Sequence, residues 1–179
     1  MKKILLTLAL ALTLSSLWAE EGSSLSLALD LRGLDALFLS TLQAEAEVRL
    51  NINDEFTLRI PVFLTSDLLY NEVSLWEFGL FLDYHPFHSG LYLSVSLLQM
   101  GVFSGFDKPE ASILFLNEVA FGYTWHITKT LYLEPRLVIT DPSGVFESEY
   151  DQVIRTFPDR SKFRIFFLFG WEFLAIPSL

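Results

Sequence analysis

Apolar and polar residues alternate along most of the chain with a period of two, the spacing at which a β-strand sends successive side chains to opposite faces. The pattern is plainest near the end. From Phe163 the odd positions read Phe163, Ile165, Phe167, Phe169, Trp171, Phe173 and Ala175, against Arg164, Phe166, Leu168, Gly170, Glu172 and Leu174. Seven earlier segments repeat it: 24–33, 42–52, 55–65, 72–84, 91–100, 113–126 and 130–140. Within 72–84, Val73 and Leu75 are out of phase with the outward set Trp76, Phe78, Leu80, Leu82 and Tyr84, which predicts a bulge near Leu75. Pro61 and Pro135 fall in mid-strand, where each removes a ladder hydrogen bond, so a bulge or a local gap is expected at both.

The connections alternate in length. Short turns follow the second, fourth and sixth segments, at Asn53-Asp54, 85–90 and 127–129; longer ones follow the first, third, fifth and seventh, at 34–41, 66–71, 101–112 and 141–161. In the longest, 145–150 and 152–157 read as a hairpin extending the last two strands. Eight strands with this rhythm predict an all-β, eight-stranded antiparallel up-and-down transmembrane barrel, with short turns on the periplasmic side and long loops outside. Both mature termini are then periplasmic. A soluble barrel with apolar residues inside shares the alternation. The aromatic bulk of the apolar faces, with Gly79 and Gly122 opposite, favours a lipid-facing arrangement.

Composition adds the compartment. Met1-Lys2-Lys3, the apolar run 4–14 and the small residues of 15–19 form a secretory leader, too short in its apolar part to span a bilayer. Cleavage after Ala19 leaves residues 20–179 as one barrel domain with 10 basic and 22 acidic residues, a net charge of −12. Nucleic acid is a poor partner for such a chain. There is no cysteine for a lipid anchor or a disulfide, yet 51% of the residues are apolar and mean hydropathy is +0.40. An exported, apolar, acidic chain without a spanning helix points to the bacterial outer membrane.

The closing segment resembles the aromatic-rich C-terminal strand of bacterial outer-membrane barrels, and the whole of 24–176 resembles the small eight-stranded members of the OmpA transmembrane-domain and OmpW kinds. The resemblance implies an integral outer-membrane protein, a monomer in outer-membrane lipid, inserted by the barrel-assembly machinery. Envelope structure, surface binding, or passage of small hydrophobic molecules are the roles it implies.

Candidate chemistry lies in three places. The inward positions carry Asp30, Arg32, Glu45, Glu47, Arg49, Arg59, Glu77, Asp83, Glu118, Glu134, Arg136, Arg164 and Glu172. All of these except Arg32, Glu45 and Asp83 are assigned to a lumen charge network, because an eight-stranded interior is filled by side chains and ions packed there need partners. The hairpin at Asn53-Asp54 sets Arg49 level with Arg59. Trp76, Tyr84, Tyr123, Trp125 and Trp171 form an aromatic girdle. Phe103, Phe106, Phe146, Tyr150 and Phe157 are the binding candidates of the outer loops; Phe103 and Phe106 with the inward Phe81 and Phe166 would suit a hydrophobic conduit. A lipid-modifying enzyme is the third function class. His126-Ile127-Thr128 resembles, in two residues, the His-x-Ser of outer-membrane lipid A deacylases, but a turn histidine is the reading preferred. The two histidines of the 85–88 turn lack a third ligand for a metal. No catalytic, cofactor or metal residue is assigned.

Overall fold

The computed structural model describes residues 24–31, 41–67, 73–86, 89–105 and 113–175. The expected leader, Arg32, the connection 34–40, Phe106 and the tail 176–179 lie outside these. Eight antiparallel strands are present: β1 (Ser24–Asp30), β2 (Thr41–Asn51), β3 (Phe56–Asp67), β4 (Ser74–Tyr84), β5 (Leu91–Ser104), β6, β7 (Leu131–Thr140) and β8 (Phe163–Ala175). Strand β6 runs in three pieces, Ile113–Phe115, Glu118–Tyr123 and Trp125–His126. Neighbours in the chain are neighbours in the sheet, and β8 pairs with both β7 and β1, so the sheet closes into an eight-stranded up-and-down barrel. Closure leaves the sheet without an open edge strand among the described residues.

The turns follow from local chemistry. Asn53 accepts the backbone N–H groups of Glu55 (2.9 Å) and Phe56 (2.8 Å), and Thr128 Oγ1 accepts that of Leu131 (3.0 Å), so each side chain mimics a backbone turn. These turns, with 85–90, define the turn end of the barrel; the longer connections define the loop end. Arg49 faces Arg59 across the first hairpin, as the turn position requires.

Four details of the strands differ from expectation or refine it. Val73 and Leu75 are buried inside, and β4 keeps its register with β5 through Leu75, so there is no bulge there. Their apolar character reflects a covered loop end. The bulge is instead in β5 at Leu97. The pairing of β5 slips by one residue against both neighbours at this point, and Leu97 and Leu98 both face outward at 56% and 52% exposure. At Pro61 the β3–β4 ladder skips Ile60 and Pro61 and resumes unchanged. At Pro135 the β6–β7 ladder breaks between Gly122 and Trp125 and resumes unchanged, so both prolines make gaps. The third difference is in the longest loop, which holds no hairpin: residues 145–157 contain α1 (Glu147–Thr156). Glu147 and Glu149 in its first turn and Arg155 in its last complement the helix dipole. The fourth is extent, since β3 and β5 run on to Asp67 and Ser104.

Polarity is inverted relative to a soluble barrel. The lumen buries arginines and carboxylates from most of the strands, while every strand from β1 to β8 exposes large apolar side chains on the outer surface.

Candidate functional site

Between its two ends the lumen is layered: two charged storeys, an apolar band between them and an apolar cap above. Nearest the turn end, Glu47 sits among three arginines, accepting from Arg49 Nε (2.5 Å), Arg59 (3.1 Å) and Arg136 (2.9 Å). Glu134 accepts from Arg49 (2.7 Å), Arg136 (2.8 Å), Thr124 (3.1 Å) and the Tyr92 hydroxyl. Asp83 takes Arg59 at 3.0 Å, Ser94 Oγ accepts from the same guanidinium at 2.7 Å, and Glu45 takes Arg136 at 3.0 Å. All of these charged groups are buried. Each arginine fork meets more than one carboxylate, the condition under which ions removed from water hold their place.

Two inward glycines shape this storey. A Cβ on Gly122 would overlap the Tyr92 ring, and one on Gly170 would overlap the Tyr132 ring. Only glycine lets those rings lie flat across the lumen, where Tyr92 meets Glu134 and Tyr132 lies beneath the Arg49 guanidinium (5.2 Å). Above lies a band of Ala28, Phe63, Ala120, Val138, Phe166 and Leu168, with Phe63 and Phe166 edge to face at 5.8 Å. A cavity of about 30 Å³ remains there, lined in part by Glu45, Glu77, Gln99 and Arg164. That is the room of one or two waters.

The second charged storey pairs Glu77 with Arg160 (2.6 Å) and Glu118 with Arg164; Thr140 also donates to Glu118 (3.2 Å). Both guanidiniums lie over the Phe63 ring, at 5.3 Å for Arg160 and 5.1 Å for Arg164. Burial works against the charge of Arg160, but the Glu77 carboxylate outweighs it and holds the guanidinium above the usual arginine range. The top storey is apolar. Helix α1 lays Val153, and Phe157 just after it, onto Val73, Leu75, Phe103 and Leu114, with the Phe103 and Phe157 rings stacked at 6.3 Å.

At the turn end the lumen opens into a polar cup of about 480 Å³, walled by Ser24, Ser26, Asn51, Thr57, His85, Tyr132 and their neighbours, with Arg49 in its floor. Burial lowers the basicity of His85 below the ordinary imidazole value, although Asp83 pulls the other way.

Of the sequence-assigned network, Glu47, Arg49, Arg59, Glu134 and Arg136 meet in the first charged storey, and Glu77, Glu118 and Arg164 in the second. Asp30 is buried at the loop end of β1, and Glu172 is half-buried on the wall of the cup. Glu45 and Asp83, read as inward but left out of that network, belong to it, and so does Arg160, which the sequence placed in a loop. The girdle residues Trp76, Tyr84, Tyr123, Trp125 and Trp171 are all exposed, Trp76 towards the loop end and the other four towards the turn end, where Tyr123 and Trp125 also border the cup.

The loop aromatics sit differently from a ligand-facing set. Phe103, Tyr150 and Phe157 are buried, Phe146 is half-buried, and Phe106 is outside the described residues. Phe103 does not join Phe81 and Phe166 in one pocket: Phe81 and Phe166 line the small cavity, and Phe103 belongs to the cap above it. A signal for this was present. Phe146, Tyr150, Val153 and Phe157 are spaced by four, three and four residues, the stripe of an amphipathic helix and not of a strand.

His126 packs its ring against Tyr132 at 5.9 Å, and Thr128 is engaged in its turn. Among the described residues no group of three or more His, Cys, Asp or Glu side chains is placed to hold a metal. No described helix is long and apolar enough to cross a membrane, which leaves a strand-built crossing untouched. Comparison of the chain with family models, curated proteins and solved structures finds no match in any of the three.

Proposed function

We propose that the chain is an integral outer-membrane β-barrel with a closed, charge-packed interior, acting without enzymatic chemistry in envelope structure or in surface binding at its loop end. The inverted polarity carries this reading. Leu29, Val48, Ile60, Phe78, Leu93, Phe121, Leu137 and Phe167, one from each strand, are exposed on the outer surface, while arginines and carboxylates fill the lumen. In water such a surface costs roughly 25 cal/mol for each Å² of apolar area left uncovered, whereas acyl chains accept it without penalty. The closed barrel also satisfies backbone groups internally, as a bilayer demands.

The conduit reading has less support, because the apolar cap and two ion-pair storeys lie in series along the lumen and the cavity between them holds only one or two waters. The test is refolding of the mature chain in detergent, followed by gel electrophoresis with and without boiling. A compact form that shifts on boiling is expected; a folded, monodisperse monomer in buffer without detergent overturns the membrane reading.

A further inference from the structure

We propose that the cup at the turn end is a binding site for an uncharged, hydroxyl-rich ligand of one or two sugar rings. This goes beyond the membrane reading and rests on the barrel end alone, so it is tested independently of it. At about 480 Å³ the cup falls within the size range of small-molecule sites, and it is by far the roomier of the two lumen cavities described.

Its wall is a chain of groups that both donate and accept. Asn51 donates to Ser24 Oγ (2.7 Å) and accepts from Thr57 Oγ1 (2.7 Å), and Thr57 lies 3.3 Å from His85 Nε2. Ser26 Oγ and the Tyr132 hydroxyl meet at 3.1 Å across the cup. Hydroxyls and amides of this kind match sugar hydroxyls, which also do both. The imidazole of His85, its basicity lowered by burial, adds one donor and one acceptor without charge at neutral pH.

Charge disfavours an anionic ligand. Arg49 is the cation of the floor, but four of its five N–H groups already donate to Glu47 and Glu134, and those two carboxylates offset its charge towards a phosphate or carboxylate. Asp54 and Glu172 on the wall repel anions further. The rings of His126 and Tyr132, 5.9 Å apart, offer the apolar surface that the C–H face of a pyranose covers, and Trp125 borders the cup at its rim.

The test uses the full mature chain in zwitterionic micelles free of glycoside detergents, which would compete for the cup. Maltose and N,N′-diacetylchitobiose are titrated against it, with glucose 6-phosphate and spermidine as charged probes. The readouts are the NMR shifts of the Asn51 and Thr57 amides and the Trp125 indole. Saturable shifts with at least one neutral disaccharide are expected, with Kd at or below about 10 mM. Asn51→Leu and Thr57→Val should each weaken binding at least tenfold while keeping the unboiled gel mobility of the parent, and Ser148→Ala at the far end should change nothing. Absence of saturation with both disaccharides overturns the proposal. So does tighter binding of either charged probe, or parental affinity in both cup variants.

Discussion

Arg136 meets Glu45, Glu47 and Glu134 within 3.0 Å, and Tyr92 packs its hydroxyl against the same guanidinium at 2.8 Å. Removing it leaves three buried carboxylates short of a partner. Arg136→Ala should therefore cost about 3–5 kcal/mol, the range for breaking a buried pair from one side. Urea unfolding in lipid vesicles measures this; a loss below 1 kcal/mol would mean that water already reaches the storey. Glu45→Gln makes the opposite case. Glu45, Glu47, Asp83 and Glu134 face Arg49, Arg59 and Arg136, so this storey has one carboxylate more than it has guanidiniums. The amide keeps an acceptor and evens the count, and the same unfolding series should show a cost of about 1 kcal/mol or less. Most of this storey was legible in the sequence, because strand parity alone points Glu47, Arg49, Arg59, Glu134 and Arg136 inward. Partner choice was not. It depends on which strands face each other across the closed lumen, and Arg49 with Glu134 joins residues 85 apart in the chain.

At the scale of elements, period-two alternation located all eight strands, and the turn chemistry of Asn53 fixed the first register. What it misread lies at the loop end. There Val73, Leu75, Phe103 and Leu114 are apolar on the inward face because α1 covers them, and a two-valued pattern of lipid outside and charge inside has no place for a third, covered environment. The helix holds this cover mainly through Val153 and the adjacent Phe157, both buried. Phe157→Ala should cost about 3–5 kcal/mol if the rest of the chain unfolds with the cap. If the cap opens by itself, the loss appears as amide exchange confined to 147–157, which hydrogen-exchange mass spectrometry separates from global unfolding. The turn after β4 carries a pH dependence. His85 binds its proton less readily folded than unfolded, so the unfolded chain takes up the proton first as pH falls through the ordinary value of 6.5. Stability must then decline as pH drops below about 6.5, levelling once the folded histidine is charged too. His85→Gln should flatten that part of the profile, read as the difference in urea midpoint between parent and variant at pH 7.5, 6.5 and 5.5.

For the whole molecule, the order of the storeys along the barrel decides whether anything passes. From the loop end they are the apolar cap, the Glu77–Arg160 and Glu118–Arg164 pairs, the aromatic band with its 30 Å³ cavity, the Glu47 storey, and the open cup. Two of the barriers come from different parts of the chain. The cap and Arg160 belong to the β7–β8 connection, whereas the Glu47 storey is made by strand residues held in register by the ladders. A ladder cannot yield one residue without losing its paired backbone bonds, so the lower barrier should outlast the upper one. The parent should show negligible conductance in planar bilayers. Replacing 145–160 by a short Gly/Ser linker removes the cap and the Arg160 latch, and it should still leave conductance near that of the parent, because the Glu47 storey is intact. Adding Arg136→Ala to that deletion removes the central cation of the lower barrier as well, and only this combination should give steady currents. Steady currents from the deletion alone would show that the lower storey admits ions, and the lumen would then be a gated path with α1 as its gate.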